Sequence, residues 1–245
     1  KKSLLTVGVV LSAMTTAVSV DTYSPAQAEE QNGWYISVGS GLVLGSDTDY
    51  ETTTTDESVT PNTTKEYTGS ADNDTSFASE LGLGYDFGDF RYELNYGLSP
   101  MESKDLYMQE SDGTKASVPY SVDYNLHTFQ VGAYYDIPIN SKEWTPYIGG
   151  SLGQAMIDVS TSTSTLNGTQ YTLNDDIEKV FIYQLKAGVS YAATSKLDVF
   201  FETSYRGLDE FKIGQSENDP DDSINEMSVD ALNDIVAKVG VRIRL

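Results

Sequence analysis

SFASELGLGYDFGDFRYELNYGL, residues 76–98, decides the fold. Folded back at Gly88-Asp89, it becomes two strict alternations, with Phe87 facing Phe90, Tyr85 facing Tyr92, Leu83 facing Leu94 and Leu81 facing Tyr96. The intervening positions pair in the same register: Asp86 with Arg91, Gly84 with Glu93, Gly82 with Asn95 and Glu80 with Gly97. A two-residue Gly-Asp turn sets that register, because tight hairpin turns need residues that tolerate positive φ and strand side chains alternate with a period of two. One face of the hairpin is aliphatic and aromatic; the other is charged or glycine.

A soluble sheet would show the same alternation, so the polar face has to narrow the choice. It sets ionisable groups and glycines opposite long side chains, as in a narrow, filled interior. A small transmembrane β-barrel has that construction, with lipid outside and packed polar groups inside.

Working outward, other stretches repeat the pattern. The first strand is expected over Gly33 to Leu44, with Trp34, Ile36, Val38 and Leu42 on one side and Ser37, Gly39 and Gly41 on the other. The two arms of the hairpin are the second and third. The fourth, within Val122 to Ile137, turns Phe129, Val131, Ala133, Tyr135 and Ile137 outward and Thr128, Gln130, Gly132, Tyr134 and Asp136 inward. The fifth runs from Trp144 to Met156 and the sixth from Val180 to Ala192, with Gln184, Lys186, Gly188 and Ser190 inward. Lys196 to Arg206 is the seventh, with Asp198, Phe200, Glu202, Ser204 and Arg206 inward, and Ile235 to Leu245 the eighth.

Eight strands are then joined alternately by long and short connections, the long ones spanning Gly45 to Thr75, the stretch after Leu98 to about Ser121, Ile157 to about Lys179 and Gly207 to Asp234. In bacterial barrels the short turns lie in the periplasm and the long loops outside. A β-sandwich has no reason to place every long loop at one end. The expected fold class is all-β, an eight-stranded antiparallel up-and-down transmembrane barrel. Its outward aromatics fall into two bands: Trp34, Tyr85, Phe87, Phe90, Tyr92, Tyr135, Trp144 and Tyr191 near the turn ends, and Phe129, Phe181 and Tyr205 near the loop ends. Amphipathic rings prefer the two membrane interfaces.

Composition agrees. Among 245 residues no run of about 20 apolar ones follows the N-terminus, which excludes a helical membrane protein. Lys1-Lys2, the moderately apolar run Ser3 to Val20 and Pro25-Ala26-Gln27-Ala28 have the basic start, greasy centre and small-residue cleavage site of a secretory signal. The expected division is a signal peptide over 1–28 and a barrel domain over 29–245. A net charge of −22 argues against nucleic acid as a partner. The acids concentrate in the first and fourth long connections, eight against Lys65 in one and nine, Asp234 included, against Lys212 in the other. Zero Cys removes disulfides and thiolate chemistry.

The C-terminal stretch Lys238-Val-Gly240-Val-Arg-Ile243-Arg-Leu245 resembles the terminal signal by which bacterial outer-membrane barrels are recognised for assembly, although that family usually ends in an aromatic residue and this chain ends in Leu245. With the signal peptide, the YDFGDFRYELNYG hairpin and YYDIP followed by WTPYIGGSLG, the chain resembles the porin-like, eight-stranded outer-membrane β-barrels. These include the membrane domain of outer membrane protein A and the opacity and surface-antigen proteins. The resemblance implies the fold, an outer-membrane location, and the barrel assembly machinery and outer-membrane lipid or lipopolysaccharide as partners. It implies little about activity, because members differ chiefly in their loops. No peptidoglycan-binding domain is expected after the eighth strand.

The inward ionisable groups balance, six against six: Glu80, Asp86, Glu93, Asp136, Asp198 and Glu202, with Arg91, Lys186, Arg206, Lys238, Arg242 and Arg244. An eight-stranded interior is only wide enough for its own side chains, so such charges must pair or meet water. They form either a structural plug or a gate in which Glu93, Arg91, Lys186 and Lys238 exchange partners to pass ions or small solutes. For catalysis the chain offers one histidine, His127, whose parity turns it toward lipid head groups, and the acid pair Glu80 and Glu93, which has cations beside it. Asp72-Asn73-Asp74 and Asp219-Pro220-Asp221-Asp222 lack the spacing of a calcium loop. No metal, cofactor or enzymatic activity is expected. The expected function is structural or interactive, through acidic extracellular loops that meet a surface ligand; a narrow solute channel is the alternative.

Overall fold

Across the Gly88-Asp89 turn, Asp86 pairs with Arg91, Tyr85 with Tyr92, Leu83 with Leu94 and Glu80 with Gly97, the register that the alternation requires. The Phe87 amide donates to the Phe90 carbonyl at 2.8 Å. Gly88 sits at φ +100°, where a side chain would strain the backbone.

The computed structural model describes residues 32–44, 46–56, 63–73, 76–110, 115–118, 122–141, 143–159, 162–166, 169–173, 176–213, 224–229 and 231–245. Its regular elements are β1 (Gly33–Leu44), β2 (Ser46–Asp56), β3 (Thr63–Asn73), β4 (Ser76–Asp86), β5 (Phe90–Glu110), β6 (Lys115–Val118), β7 (Val122–Asp136) and β8 (Trp144–Val159). They continue with β9 (Ser162–Leu166), β10 (Thr169–Leu173), β11 (Asp176–Ala192), β12 (Leu197–Leu208), β13 (Phe211–Ile213), β14 (Ile224–Val229) and β15 (Asn233–Arg244). The expected signal segment lies outside the described residues.

Eight of these strands close a ring. β1 pairs with β4, β4 with β5, β5 with β7, β7 with β8, β8 with β11, β11 with β12, β12 with β15, and β15 returns to β1, every pair antiparallel. Closure leaves this part of the wall without an edge, as a barrel in lipid must.

The long connections differ from expectation. The sequence implies loops there, whereas the connections carry β2, β3, β6, β9, β10, β13 and β14, while β5 runs 21 residues and β8 reaches Val159. At about 3.3 Å per residue, β5 is about 70 Å long, far beyond a hydrocarbon layer of about 25 Å even when tilted. β13, β14, β2, β3 and β5 follow one another in a single sheet, joined by pairs such as Val229 with Tyr50, Glu51 with Thr68 and Asp72 with Lys104. The wall therefore continues as a second storey beyond the membrane-sized ring. Thr-rich, alternating segments favour extended chain; β2 pairs with β3 and β13 with β14 within one connection, while β14 pairs with β2 and β3 with β5 across different connections.

Side chains divide as the period of two demands. Leu94, Leu185 and Val239 are 60%, 63% and 60% exposed on the outer face. Two aromatic bands flank this apolar belt. At the turn end Trp34 meets Tyr85 edge-on at 5.3 Å, Phe90 lies 5.1 Å from Tyr135 and Trp144 4.8 Å from Tyr191; at the loop end Tyr96 lies 5.0 Å from Phe129 and Tyr183 6.3 Å from Tyr205.

Candidate functional site

The lumen is filled by inward side chains in layers. Nearest the turns, Arg91 of β5 is fully buried and sends Nε and Nη2 to the two carboxylate oxygens of Asp136 on β7, each at 2.8 Å. Its guanidinium also lies over Tyr134 at 5.0 Å and Tyr147 at 4.9 Å. Stacking and a bidentate pair together hold a charge that alone would be costly to bury. Arg242 of β15 lies 3.5 Å from Asp198 of β12 and 5.2 Å from the Tyr35 ring; Arg244 also reaches Asp198, at 2.9 Å. Tyr35 fits because Gly84 stands opposite: a Cβ there would meet the tyrosine ring.

At mid-height four charges from four strands form one cluster. Lys186 of β11 donates to Glu80 of β4 at 2.9 and 3.1 Å and to the Tyr134 hydroxyl at 3.0 Å, with Glu202 of β12 at 3.8 Å. Lys238 of β15 bridges Glu80 and Glu202, each at 3.0 Å, and Tyr147 donates to Glu202 at 3.1 Å. Glu93 stands beside this cluster, accepting hydrogen bonds from Ser37 at 3.0 Å and Tyr134 at 3.4 Å; among the described residues no cation lies within ion-pair distance of it. Further toward the loops, Arg206 pairs with Asp234 through Nε at 2.9 and 3.1 Å and through Nη2, and donates to Ser99 at 3.0 Å.

Beyond Arg206 the lumen changes chemistry. Val43, Ala78, Met101, Leu126, Ala155, Ile157, Val180, Ile182, Leu208, Phe211, Val229, Leu232 and Val236 form one buried apolar cluster, to which all eight barrel strands contribute. It crosses the lumen as a septum. Two small cavities lie in the lumen, about 10 Å³ against Glu80, Arg91, Glu93 and Glu202 and about 20 Å³ against Ser99, Thr128, Gln184 and Arg206, the second also touching Ala78 and Val236 of the septum. Neither holds more than about one water.

Of the residues singled out from the sequence, Glu80, Arg91, Glu93, Lys186, Glu202, Arg206, Lys238 and Arg242 line the lumen, and all but Glu80 are nearly inaccessible. Asp86 departs from expectation: it sits at the rim, half-buried, and accepts from the Gly88 amide at 2.8 Å, while Arg91 turns to Asp136. Asp234, counted among the loop acids, is buried on β15 as the partner of Arg206. Parity would have found it, since 234, 236, 238, 240 and 242 share one face. Tyr35 is found the same way, from Ser37, Gly39 and Gly41. Of the terminal pattern, Lys238 points inward, Gly240 lies against the Phe200 ring, and Ile243 and Leu245 are exposed on the outer face. His127 is on the outer side, its Nδ1 2.8 Å from the Tyr96 hydroxyl. Asp74 and residues 219–222 lie outside the described residues; among the described residues no group of acids and histidines is arranged to hold a metal.

A closed ring with a lipid-compatible belt, aromatic bands and an ion-paired lumen defines a membrane-spanning β-barrel. The model of the outer membrane protein beta-barrel domain matches residues 9–242, and the chain belongs to that family. By the rule of bacterial barrels, the short turns then face the periplasm and the second storey faces outward. Among solved structures, the chain is similar to neisserial surface protein A, at 18% identity over 87% of this chain and 97% of that one with a TM-score of 0.45. It is likewise similar to outer membrane protein OprG of Pseudomonas aeruginosa, at 11% identity over 87% and 97% with a TM-score of 0.45. Outer membrane protease OmpT of Escherichia coli aligns at 10% identity over 93% and 99% with a TM-score of 0.48. No curated protein matches the chain.

Proposed function

We propose that this outer-membrane barrel is a non-conducting, non-enzymatic surface protein whose membrane ring serves as a rigid base for acidic outer strands that engage a ligand outside the cell. The observation that carries this reading is the filled lumen: Arg91, Lys186, Glu202 and Lys238 are held in direct ion pairs, and the cavities beside them are about 10 and 20 Å³. A hydrated ion needs a continuous path, and separate pockets of one water each do not provide it. The reading places the barrel assembly machinery at the Lys238 to Leu245 strand and lipopolysaccharide around the belt.

A narrow channel is the second reading. It is favoured by Glu93, a buried carboxylate beside the Lys186 cluster that is free to accept a cation from Glu80. Single-channel recording of the refolded full chain in a planar bilayer separates the two. Silence in both the native chain and Glu93→Ala supports the surface reading; reproducible steps that change with Glu93→Ala overturn it.

A further inference from the structure

We infer that the barrel is sealed to ions by its apolar septum, independently of the ion-pair cluster beneath it. This rests on the non-conducting reading above and locates its cause.

The argument begins with the inward residues read along each wall. β12 shows Glu202, Ser204 and Arg206 and then Leu208; β11 shows Lys186 and Gln184 and then Ile182; β7 shows Gln130 and Thr128 and then Leu126. On these three strands polar gives way to apolar at one step; on β15 Val236 lies between Lys238 and Asp234, and the apolar groups of all eight strands meet in one buried cluster. Leu126 and Ile182 are 1% and 0% exposed, and Ala155 is 0% exposed. The layer is thus closed across the lumen.

The charged groups that border it, Arg206 and Asp234, are bonded to each other, and Arg206 also donates to Ser99. Phe211, Val229 and Leu232, from the connection between β12 and β15, complete the layer. That connection is tied down at its base: the Leu208 amide donates to the Leu232 carbonyl at 2.8 Å, the Asp209 amide to the Phe181 carbonyl at 3.0 Å, and Tyr205 to Asn233 at 2.8 Å.

Two barriers in series follow. The charged cluster can exchange partners among Glu80, Glu93, Glu202, Lys186 and Lys238 without unfolding anything. The septum presents mainly apolar side chains to a passing ion, with the buried Ser76 hydroxyl paired across from Val43 and Tyr124 packed against it, and apolar constrictions close by excluding water. An ion that crossed the first would still meet the second.

Because the chain has no cysteine, a single introduced thiol reports access cleanly. The full chain carrying Ser204→Cys, just below the septum, is refolded into vesicles and treated from the loop side with a membrane-impermeant thiol reagent, with exposed Asp209→Cys as the reference. Labelling at Ser204→Cys is expected to be at least about tenfold slower than the reference, and to accelerate when Leu126→Thr, or the smaller change Ala155→Ser, is added. In parallel, Lys186→Met with Glu80→Gln loosens the cluster and leaves the septum whole; this protein is expected to stay silent in a planar bilayer. Labelling of Ser204→Cys at the reference rate, or conductance by the Lys186→Met/Glu80→Gln protein, overturns the inference. Conductance by the native chain overturns the non-conducting reading itself.

Discussion

The periplasmic part of the lumen and its outer end are built on the same eight strands from opposite chemistry. Below, each wall contributes charge or hydroxyl, and groups such as Arg91, Lys186 and Arg206 are tolerated only because a specific partner stands within about 3 Å. Above, Leu126, Ile157 and Ile182 need no partner, only volume. The contrast shows two ways to fill a narrow barrel. Ion pairs hold strands by directed, long-range contacts, as between Glu80 and Lys186, which are 106 residues apart; an apolar layer fills by close packing and excludes water.

The two regions should respond differently to mutation. The largest effect is expected at Arg206→Leu, which strands the buried Asp234 carboxylate and should cost about 3–5 kcal/mol in urea unfolding of the refolded barrel in vesicles. Adding Asp234→Leu should restore most of that loss, since replacing both members of a buried pair is often neutral. If the double variant is as unstable as the single one, the polar layer is held by more than pairing.

Leu126→Ala in the septum should cost about 2–4 kcal/mol by leaving a cavity. Here a second truncation, Ile182→Ala, should deepen the loss rather than rescue it. Rescue would break the contrast.

Gly84→Val drives a side chain into the Tyr35 ring and should cost about 1–3 kcal/mol. Tyr35→Ala in the same chain should relieve the clash, which a thermal melt of the double variant would show. The smallest effect belongs to the outer wall: Tyr96→Phe removes one exposed hydrogen bond to His127 and should cost no more than about 1 kcal/mol. A larger loss would mean that the outer aromatic band stabilises the barrel as the lumen does.

The hairpin at Gly88-Asp89 was legible because its turn and its pairing partners lie close in sequence, the outermost pair being Ser79 and Leu98, so local chain chemistry sets the register. The membrane-spanning parts of all eight strands and the two aromatic bands followed from the same alternation, as did the lumen positions of Glu80, Arg91, Glu93, Lys186, Glu202 and Lys238. Which carboxylate each cation chooses did not follow. Arg91 faces Asp86 across the hairpin and nonetheless binds Asp136, because the two Arg91 nitrogens find both carboxylate oxygens only on the neighbouring β7.

Tertiary structure alone decided how the outer strands join into one sheet. β14 pairs with β2 across most of the chain, and strands that depend on such remote partners leave only a Thr-rich polar stretch in the sequence. The septum was hidden for the same reason. Ile157, Leu208 and Val229 stood in stretches read as loops, and no local pattern marks the height at which a lumen turns from charged to apolar. Alternation along a strand says which way a side chain points. Only ring closure sets the eight strands at a common height, and the residues that meet there are neighbours in space alone.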